Sequence, residues 1–308
     1  MRRVAAIDCG TNSIRLLIAE PAGLDGLKDL ERRLEIVRLG QGVDASGEFH
    51  PDALQRTFAA VDEYAKLIKK ADVPAERIHF VATSATRDVK NRETFFAGIK
   101  ERLGVLPDVI SGEAEARLSF IGALSRVRPE AEPVLVMDIG GGSTELITGA
   151  SNGDMQGAIS LDVGSVRITE RFLKHNPVAA DDLERAIRYL DGLLADSGVD
   201  FGSIGSWIGV SGTATTLAGL YLELERYDPE RVHGSRIPLP AIAELLHRLA
   251  AMTVEEIRAL PSMHPGRADV ITGGALVESR IAARLNVDNL IVSESDILDG
   301  IALELMDR

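Results

Sequence analysis

The first 126 residues alternate short apolar runs with amphipathic stretches. Val4 to Ile7 is a strand-like run, a polar turn follows it, and Ile14 to Ala19 is a second apolar run, so the pattern predicts a β-hairpin. The mixed run from Leu27 to Leu39 predicts a third strand. Beyond it, the spacing of apolar residues predicts a helix at 51–71, a strand at 78–82, a helix at 91–103, a brief strand at 108–110 and a helix at 112–124.

A polar, proline-containing segment at 127–133 marks a domain boundary, and the same pattern then begins again. Val134 to Met137 is a continuous apolar run, typical of a strand covered on both faces, and a second strand is expected at 145–148. Strands that alternate with helices indicate α/β layers. The rest of the pattern predicts helices at 165–175, 180–196, 213–221, 240–252 and 267–285, and strands at 207–210 and 290–292.

An Asp-x-Gly turn rich in small polar residues occurs in both halves. It reads Asp8-Cys9-Gly10-Thr11-Asn12-Ser13 in the first and Asp138-Ile139-Gly140-Gly141-Gly142-Ser143-Thr144 in the second, which suggests duplicated domains. Glycine allows close approach to an anion, and successive amide groups form an anion-binding concavity. An aspartate at the strand end can hold a divalent cation that also binds phosphate oxygens. One such hairpin alone is an ordinary turn, but two favour a phosphate site.

A third glycine-containing loop, Gly209-Val210-Ser211-Gly212-Thr213, lies between a predicted strand and a predicted helix. The N-terminus of a helix suits phosphate, because free amide groups and the helix dipole point at the ligand. The competing interpretation is an ordinary N-cap, with Ser211 or Thr213 as the capping residue. Taken alone, the loop favours the N-cap.

Composition and charge exclude several classes of protein. The 308 residues fit about two domains, and 45% hydrophobic with 26% charged residues is typical of a soluble globular protein. The single cysteine, Cys9, excludes a disulfide framework and a cysteine metal site, and we expect it to pack inward under the turn. No apolar run approaches the ~20 residues of a membrane span, so a cytoplasmic protein is expected. The net charge of −13 argues against nucleic-acid binding.

Five motifs in a fixed order carry a resemblance to a known family. They are the two Asp-Gly turns, Thr83-Ser84-Ala85-Thr86-Arg87-Asp88, Ser111-Gly112-Glu113-Ala114-Glu115-Ala116-Arg117 and the loop at 209–213, and 267–275 extends the match. The chain resembles the exopolyphosphatase / guanosine pentaphosphate phosphatase family over nearly its whole length. The resemblance implies an α/β fold of two ribonuclease-H-like domains, as in actin-like ATPases, with the active site in the cleft between them. The domains are expected at 1–126 and 127–294, with a final helix at 295–308 that packs back on the first.

The resemblance also assigns roles to individual residues. Glu115 maps to the glutamate that activates water; its neighbour Glu113 should not share a helix face with it, so only one of the two can be the base. The alternative interpretation of Glu115 is a solvated acid on the protein surface. The alternative interpretation of Arg87 is a surface arginine beside Asp88. The implied metal ligands are Asp138, Glu145 and Asp8, with Mg²⁺ or another divalent cation as the default. The implied substrate-binding residues are Asn12, Ser13, Arg15, Arg87, Gly141, Gly142, Ser143, Ser211, Gly212, Thr213 and Arg267, of which Arg15 and Arg267 are the weaker candidates.

The chain departs from the family pattern in three places. Thr11 replaces a serine, Leu298-Asp299-Gly300 replaces Arg-Glu-Gly, and the sequence stops where longer relatives continue into a helical domain that grips long chains. Short polyphosphate is therefore the expected substrate, and guanosine pentaphosphate is the alternative. An actin-like kinase and a non-catalytic phosphate or nucleotide sensor are the other classes left open. No nucleic-acid or membrane partner is expected, and the oligomeric state is open, with a homodimer among the options.

Overall fold

The computed structural model describes residues 3–22, 26–87 and 89–307. The chain divides into two compact units, one formed by Met1–Arg126 together with Asp296–Arg308 and the other by Val127–Ser295. Among the described residues, no helix combines the length and the apolar character needed to cross a membrane.

The first unit is built on a mixed sheet with helices on both faces. Its strands are β1 (Val4–Cys9), β2 (Ser13–Pro21), β3 (Leu27–Ile36), β4 (Ile78–Ala82) and β5 (Asp108–Val109). The helices that follow these strands are α1 (Val43–Ser46), α2 (Pro51–Lys70), α3 (Ser84–Arg87), α4 (Arg92–Leu103) and α5 (Gly112–Leu124).

The second unit repeats this plan with one more strand. Its strands are β6 (Val134–Ile139), β7 (Thr144–Gly149), β8 (Met155–Leu161), β9 (Ser206–Val210), β10 (Arg236–Pro238) and β11 (Asn289–Val292). Its helices are α6 (Ser165–Phe172), α7 (Ala180–Ala195), α8 (Ser211–Tyr221), α9 (Pro229–Val232), α10 (Leu239–Ala250), α11 (Val254–Arg258) and α12 (Ile271–Ala282). The chain then returns to the first unit as α13 (Ile297–Asp307).

The strand orders of the two sheets correspond. The first sheet has the order β3-β2-β1-β4-β5, and the second has β8-β7-β6-β9-β11-β10 when it is taken from the same edge. In each sheet the opening hairpin is antiparallel, and its first strand also pairs in parallel with the strand after the next helical segment. The internal duplication that the two Asp-Gly turns indicated is therefore visible in the topology.

The core of the first unit depends on the returning helix. One face of its sheet packs on α2 and α4, with Phe80 and Phe95 among the largest buried side chains. The other face, including Val4 and Leu17, packs on buried residues of α13 such as Ile301. Alternate residues of a strand point to opposite faces, so a strand buried on both sides reads as a continuous apolar run. The second unit has its own, larger apolar cluster, built around Trp207.

Several predicted boundaries were wrong. The third strand ends at Ile36 instead of Leu39, because the amide groups of Val37 and Arg38 turn to bind the carbonyl of Asn12. The helix predicted at 267–285 begins at Ile271, after a 3₁₀ turn over Pro265–Arg267. The strand β8 was missed, because its residues are mixed in polarity and it lies at the edge of the sheet as described.

Candidate functional site

The two Asp-Gly turns share one geometry. The amide of Gly10 donates to the carbonyl of Ser13 at 3.0 Å, and the amide of Gly140 donates to the carbonyl of Ser143 at 3.0 Å. In both hairpins the aspartate is the next-to-last residue of its strand, and a residue seven positions later lies opposite it. Two distant sequences have therefore folded into the same loop at the same place in their sheets.

Helix α6 holds the carbonyl groups of the second turn. The carbonyl of Gly140 accepts hydrogen bonds from the amide of Ser165 at 2.9 Å and from its hydroxyl at 3.1 Å, and the carbonyl of Gly141 accepts from the amides of Val166 and Arg167. Gly164 allows this approach, since a Cβ atom there would lie 2.6 Å from the carbonyl oxygen of Gly140. The carbonyls are thereby fixed on the α6 side. The amides of the predicted donors have no hydrogen-bond acceptor among the described residues; these donors are Gly141, Gly142 and Ser143.

The segment after β3 plays the same part for the first turn. The carbonyl of Asn12 accepts from Val37 at 3.0 Å and from Arg38 at 2.7 Å, while the carbonyl of Thr11 accepts from Gly40 at 2.8 Å. Asn12 is exposed and Ser13 is partly exposed. Both predicted donors of this turn therefore lie at the surface, and the backbone of the turn is fixed by hydrogen bonds from the segment after β3.

The third loop lies beside the second turn in the same unit. Asp138 on β6 and Val210 on β9 are partners in a parallel ladder, so the loops that follow both strands leave the same edge of the sheet. Thr213 donates its hydroxyl to the carbonyl of Ile139 at 3.2 Å, which ties the start of α8 to the end of β6. The Thr213 hydroxyl is thus used inside the protein, and its backbone amide is the group left for a ligand.

The interpretation of this loop as an ordinary N-cap was wrong. Val210 is the N-cap residue of α8, and no side chain accepts a capping hydrogen bond at that position in the described structure. Ser211 is the first helical residue and has φ 65°, a backbone conformation that is uncommon outside glycine. Such strain is concentrated at functional sites. The first amides of α8 are therefore available for an anion.

Arg267 lies directly over the third loop. A Cβ atom at Gly212 would overlap the guanidinium group of Arg267, so glycine is what allows this cation to sit against the helix N-terminus. The 3₁₀ turn Pro265–Arg267 presents the side chain, and the ring of His264 accepts from the amide of Gly266 within that turn. The sequence left Arg267 as a weak candidate, and the geometry brings it to the predicted phosphate loop.

Two carboxylates lie on one face of the second sheet. Asp138 and Glu145 are directly opposite each other in the antiparallel ladder, so their side chains are neighbours. Glu145 accepts a hydrogen bond from the Ser160 hydroxyl at 2.8 Å. In the described part of the chain, no group of three or more histidine, cysteine, aspartate or glutamate side chains could enclose a metal ion. Two carboxylates fit Mg²⁺, which is commonly held by one or two carboxylates together with water and substrate phosphate.

Asp8 has a different partner at the corresponding place. It lies opposite Arg15 in the ladder of β1 and β2, and the Arg15 Nη2 and Nε atoms donate to Oδ2 of Asp8 at 2.6 and 3.1 Å. Burial raises the pKa of Asp8 from its ordinary value, while Arg15 opposes that shift. Burial also raises the pKa of the adjacent Cys9 thiol, which packs inward as expected. The metal role of Asp8 and the substrate role of Arg15 stay predictions.

Glu115 and Arg87 form an ion pair. Nη2 of Arg87 donates to Oε2 of Glu115 at 2.6 Å, and Nε donates to the carbonyl of Ile110 at 3.0 Å. Ser111 caps α5 by accepting from the amide of Ala114, which places Glu115 in the first turn of the helix. Asp88, the other partner considered for Arg87, lies outside the described residues. Glu113 is exposed, and Glu115 is partly buried beside the arginine.

Sequence reasoning missed the residues that hold the loops. Gly40 and Gly164 pack against the two turns, and Asp296 binds Arg15, yet none of them belongs to a motif that was singled out. The sequence positions of the two glycines could have indicated this role, since each glycine follows a strand and precedes a polar turn or the start of a helix. Asp296 carries none, because its partner is 281 positions away in the chain.

Comparisons with known proteins show which proteins this chain is similar to. The family model described as "Ppx/GppA phosphatase family" matches residues 17–308. Exopolyphosphatase 2 of Mycobacterium tuberculosis is 46% identical, and the alignment covers 99% of both chains. A guanosine-5'-triphosphate,3'-diphosphate pyrophosphatase of Photobacterium profundum is 28% identical over 99% of this chain and 59% of its own.

The fold is shared with solved structures as well. The crystal structure of the type II variant of the Aquifex aeolicus Ppx/GppA phosphatase superposes with a TM-score of 0.87 at 32% identity, covering 99% of this chain and 100% of the other. The predicted fold class, α/β with two domains of the actin-like ATPase type, is thereby confirmed. The predicted interdomain position of the active site stays a prediction. The chain belongs to the Ppx/GppA phosphatase family.

Proposed function

We propose that this protein is an exopolyphosphatase, which hydrolyses the terminal phosphoanhydride bond of inorganic polyphosphate, with short chains as the preferred substrate. The observation that carries the proposal is the convergence of three groups at one sheet edge of the second unit. These are the amides of the second turn, which have no acceptor among the described residues, the N-terminus of α8, which no described side chain caps, and the Arg267 guanidinium. Together they supply backbone donors and one cation of the kind that binds phosphate. The name of the relative at 46% identity supports the same activity.

Mg²⁺ held by Asp138 and Glu145 completes the proposed site. When bound, the ion would neutralise charge on phosphate oxygens. The chain's own residues orient the substrate: the turn amides and the start of α8 fix phosphate oxygens, and Arg267 offsets their negative charge. This local cation matters because the protein as a whole carries a net charge of −13 and repels polyanions.

Glu115 is the proposed general base. Its bond to Arg87 falls on Oε2 and fixes the direction of the carboxylate, so the carboxylate can orient the attacking water and accept its proton. Phosphoryl transfer needs chiefly the positioning of the reacting groups and the stabilisation of charge. The helix α5 supplies a fixed position for Glu115. Arg87 is proposed as a phosphate contact, and its ion pair with Glu115 holds its guanidinium in place.

Guanosine pentaphosphate is the second candidate substrate. The relative from Photobacterium profundum is named for this nucleotide, which presents the same anhydride at its reacting end. We further propose a cytoplasmic protein, as expected of an enzyme that acts on these phosphates.

The test is phosphate release from short polyphosphate, long polyphosphate and guanosine pentaphosphate, each with Mg²⁺ and with chelator. Wild type, Glu115→Ala and Glu113→Ala are compared, because Glu113 is a matched acid two residues away on the same helix. We expect metal-dependent release that Glu115→Ala abolishes and Glu113→Ala preserves. Release that survives in Glu115→Ala would exclude Glu115 as the base, and saturable binding without release from any substrate would favour a sensor.

A further inference from the structure

Arg15 connects the first Asp-Gly turn with the segment that begins α13. Its Nη2 and Nε atoms both bind Oδ2 of Asp8, and its Nη1 atom binds Oδ2 of Asp296. The side chains of Asp8 and Asp296 are 6% and 11% exposed, so the guanidinium bridges two largely buried carboxylates. Charge-assisted bonds of this kind are strong and directional. The bridge therefore fixes Asp8 so that Oδ1 is the oxygen to which no described residue donates a hydrogen bond.

Asp296 is itself held on both sides. Its Oδ1 accepts from the amide of Leu298 at 2.9 Å, and its own amide donates to Oδ2 of Asp299 at 3.0 Å. This reciprocal arrangement is the equivalent of a capping box at the start of α13. Asp299 is fully buried and is in turn bound by Nη2 of Arg32 at 2.8 Å. The Asp296 carboxylate that binds Arg15 is thus held in place by the N-terminus of α13.

The backbone of Asp296 also touches the helix that carries Glu115. A Cβ atom at Gly122 of α5 would overlap the Asp296 carbonyl oxygen, and one at Gly300 of α13 would overlap the carbonyl oxygen of Leu118. The two helices are therefore in backbone contact at two points. Asp296 lies where this contact meets the Arg15 bridge, so one residue links α5 to the first turn.

We propose that Asp296 is a positioning residue: it holds Arg15, and through Arg15 it sets the direction of the Asp8 carboxylate beside the first turn. Asp296 reaches Asp8 through the Arg15 guanidinium, and it is placed for this by α13. The role rests on the proposed function in one respect, namely that the first turn belongs to the site. A misplacement of a catalytic group by about 1 Å can reduce turnover by about a hundredfold.

The variant Asp296→Asn tests this role while keeping the helix cap, because asparagine is as good an N-cap as aspartate. It removes the charged bond to Arg15. We expect kcat to fall by tenfold or more, with KM changed by no more than about twofold, since positioning acts on the transition state more than on binding. The matched control is Glu304→Gln on the same helix, which removes the ion pair with Arg117 and leaves the partners of Asp296 in place. It should keep kcat near wild type.

A double variant decides whether Asp296 acts through Arg15. If it does, Arg15→Gln combined with Asp296→Asn should lose no more activity than Arg15→Gln alone. Losses that multiply in the double variant would overturn the proposal, as would a wild-type kcat in Asp296→Asn. An equal loss of kcat in Glu304→Gln would also overturn it, by showing that the effect belongs to α13 as a whole.

A measurement without turnover separates this proposal from the proposed function. The ¹H–¹⁵N signal of Arg15 Nε reports how firmly the guanidinium is held. We expect it to change in Asp296→Asn and to stay unchanged in Glu304→Gln, even if wild type releases no phosphate. An Arg15 signal that is the same in Asp296→Asn and wild type would show that Asp296 does not hold the arginine.

Discussion

Asp8 lies opposite Arg15 at the place in the first hairpin where Asp138 lies opposite Glu145 in the second. The two hairpins have the same hydrogen bond across the turn and the same register. The charge of each pair therefore differs only because Arg15 is opposite the first aspartate and Glu145 is opposite the second. An acid with an arginine is a neutralised pair, whereas two acids attract a cation. The duplicated structure thus places an acid opposite a base in the first hairpin and an acid opposite an acid in the second, and we propose the second pair as the Mg²⁺ ligands.

The first prediction concerns this pair of acids. In Glu145→Arg the second hairpin would carry the charge pattern of the first, and the guanidinium would compete with Mg²⁺ for Asp138. We expect the Mg²⁺ concentration for half-maximal phosphate release to rise by at least about tenfold, which is about 1.4 kcal/mol of binding. Titration calorimetry with Mg²⁺ alone measures the same loss without turnover. Glu184→Gln, an exposed acid paired with Arg188 in the same unit, is the control and should leave the metal requirement unchanged.

The second prediction concerns the space above Gly212. In Gly212→Ala the added methyl group would displace the Arg267 guanidinium from the start of α8. We expect at least about a tenfold loss of kcat/KM, because a displaced cation no longer meets the phosphate. The control is Gly192→Ala in α7, where a Cβ atom meets nothing within 4 Å. That change should keep the activity and stabilise the helix by up to about 1 kcal/mol. Equal activities of the two variants would contradict the placement of Arg267.

The third prediction concerns Arg87. Its guanidinium bonds the Ile110 carbonyl through Nε and Glu115 through Nη2 at the same time. The single amino group of a lysine cannot match this planar two-point geometry. We therefore expect Arg87→Lys to lower kcat by about tenfold or more despite its retained charge. Steady-state kinetics on short polyphosphate checks this, and unchanged kinetics would show that only the charge at this position matters.

The fourth prediction concerns a buried acid outside the proposed site. Glu278 on α12 is fully buried, and neither of its carboxylate oxygens has a hydrogen-bond partner among the described residues. Burial raises its pKa from the ordinary 4.5 to about 8. Between these two values the folded state binds more protons than the unfolded state, so the free energy of unfolding falls as pH rises through this range. At acidic pH below the ordinary value, the penalty is absent.

Glu278→Gln removes this titration while keeping the shape of the side chain. Between about pH 5.5 and about pH 8.5, the ionisation of Glu278 should lower the free energy of unfolding of wild type by on the order of 3 kcal/mol. The variant should not show this decrease. Urea unfolding at the two pH values measures the difference. Parallel pH dependence in wild type and variant would show that Glu278 is stabilised in its charged form.

The local parts of the fold could be predicted because their chemistry is local. The turn after Asp8 and the turn after Asp138 are visible in the sequence, since glycine and small polar residues at strand ends specify such loops. The helix α5 was predicted with its correct bounds. The candidate chemistry of these loops was therefore available before the structure.

The supporting contacts could not be predicted, because they join distant parts of the chain. No periodicity indicates that Asp296 binds Arg15 or that Gly122 lies against the backbone of α13. The pairing of Arg87 with Glu115 was missed for the same reason, although both residues had been assigned roles separately. Sequence motifs identify the groups that touch a ligand more readily than the groups that hold them in place.

The return of α13 to the first unit has a consequence for the order of events during synthesis. The apolar face that contains Val4 and Leu17 is completed by residues of α13, which leave the ribosome only after the whole of Val127–Ser295. At 5–20 residues per second, the unfinished first unit waits roughly 10 to 30 seconds for its last helix. During that interval the apolar face of the sheet that later packs against Ile301 is exposed to water and to other nascent chains. A chaperone that binds apolar surface would find its target on the uncovered face of this sheet, and the first unit, although made first, would be the last to finish folding.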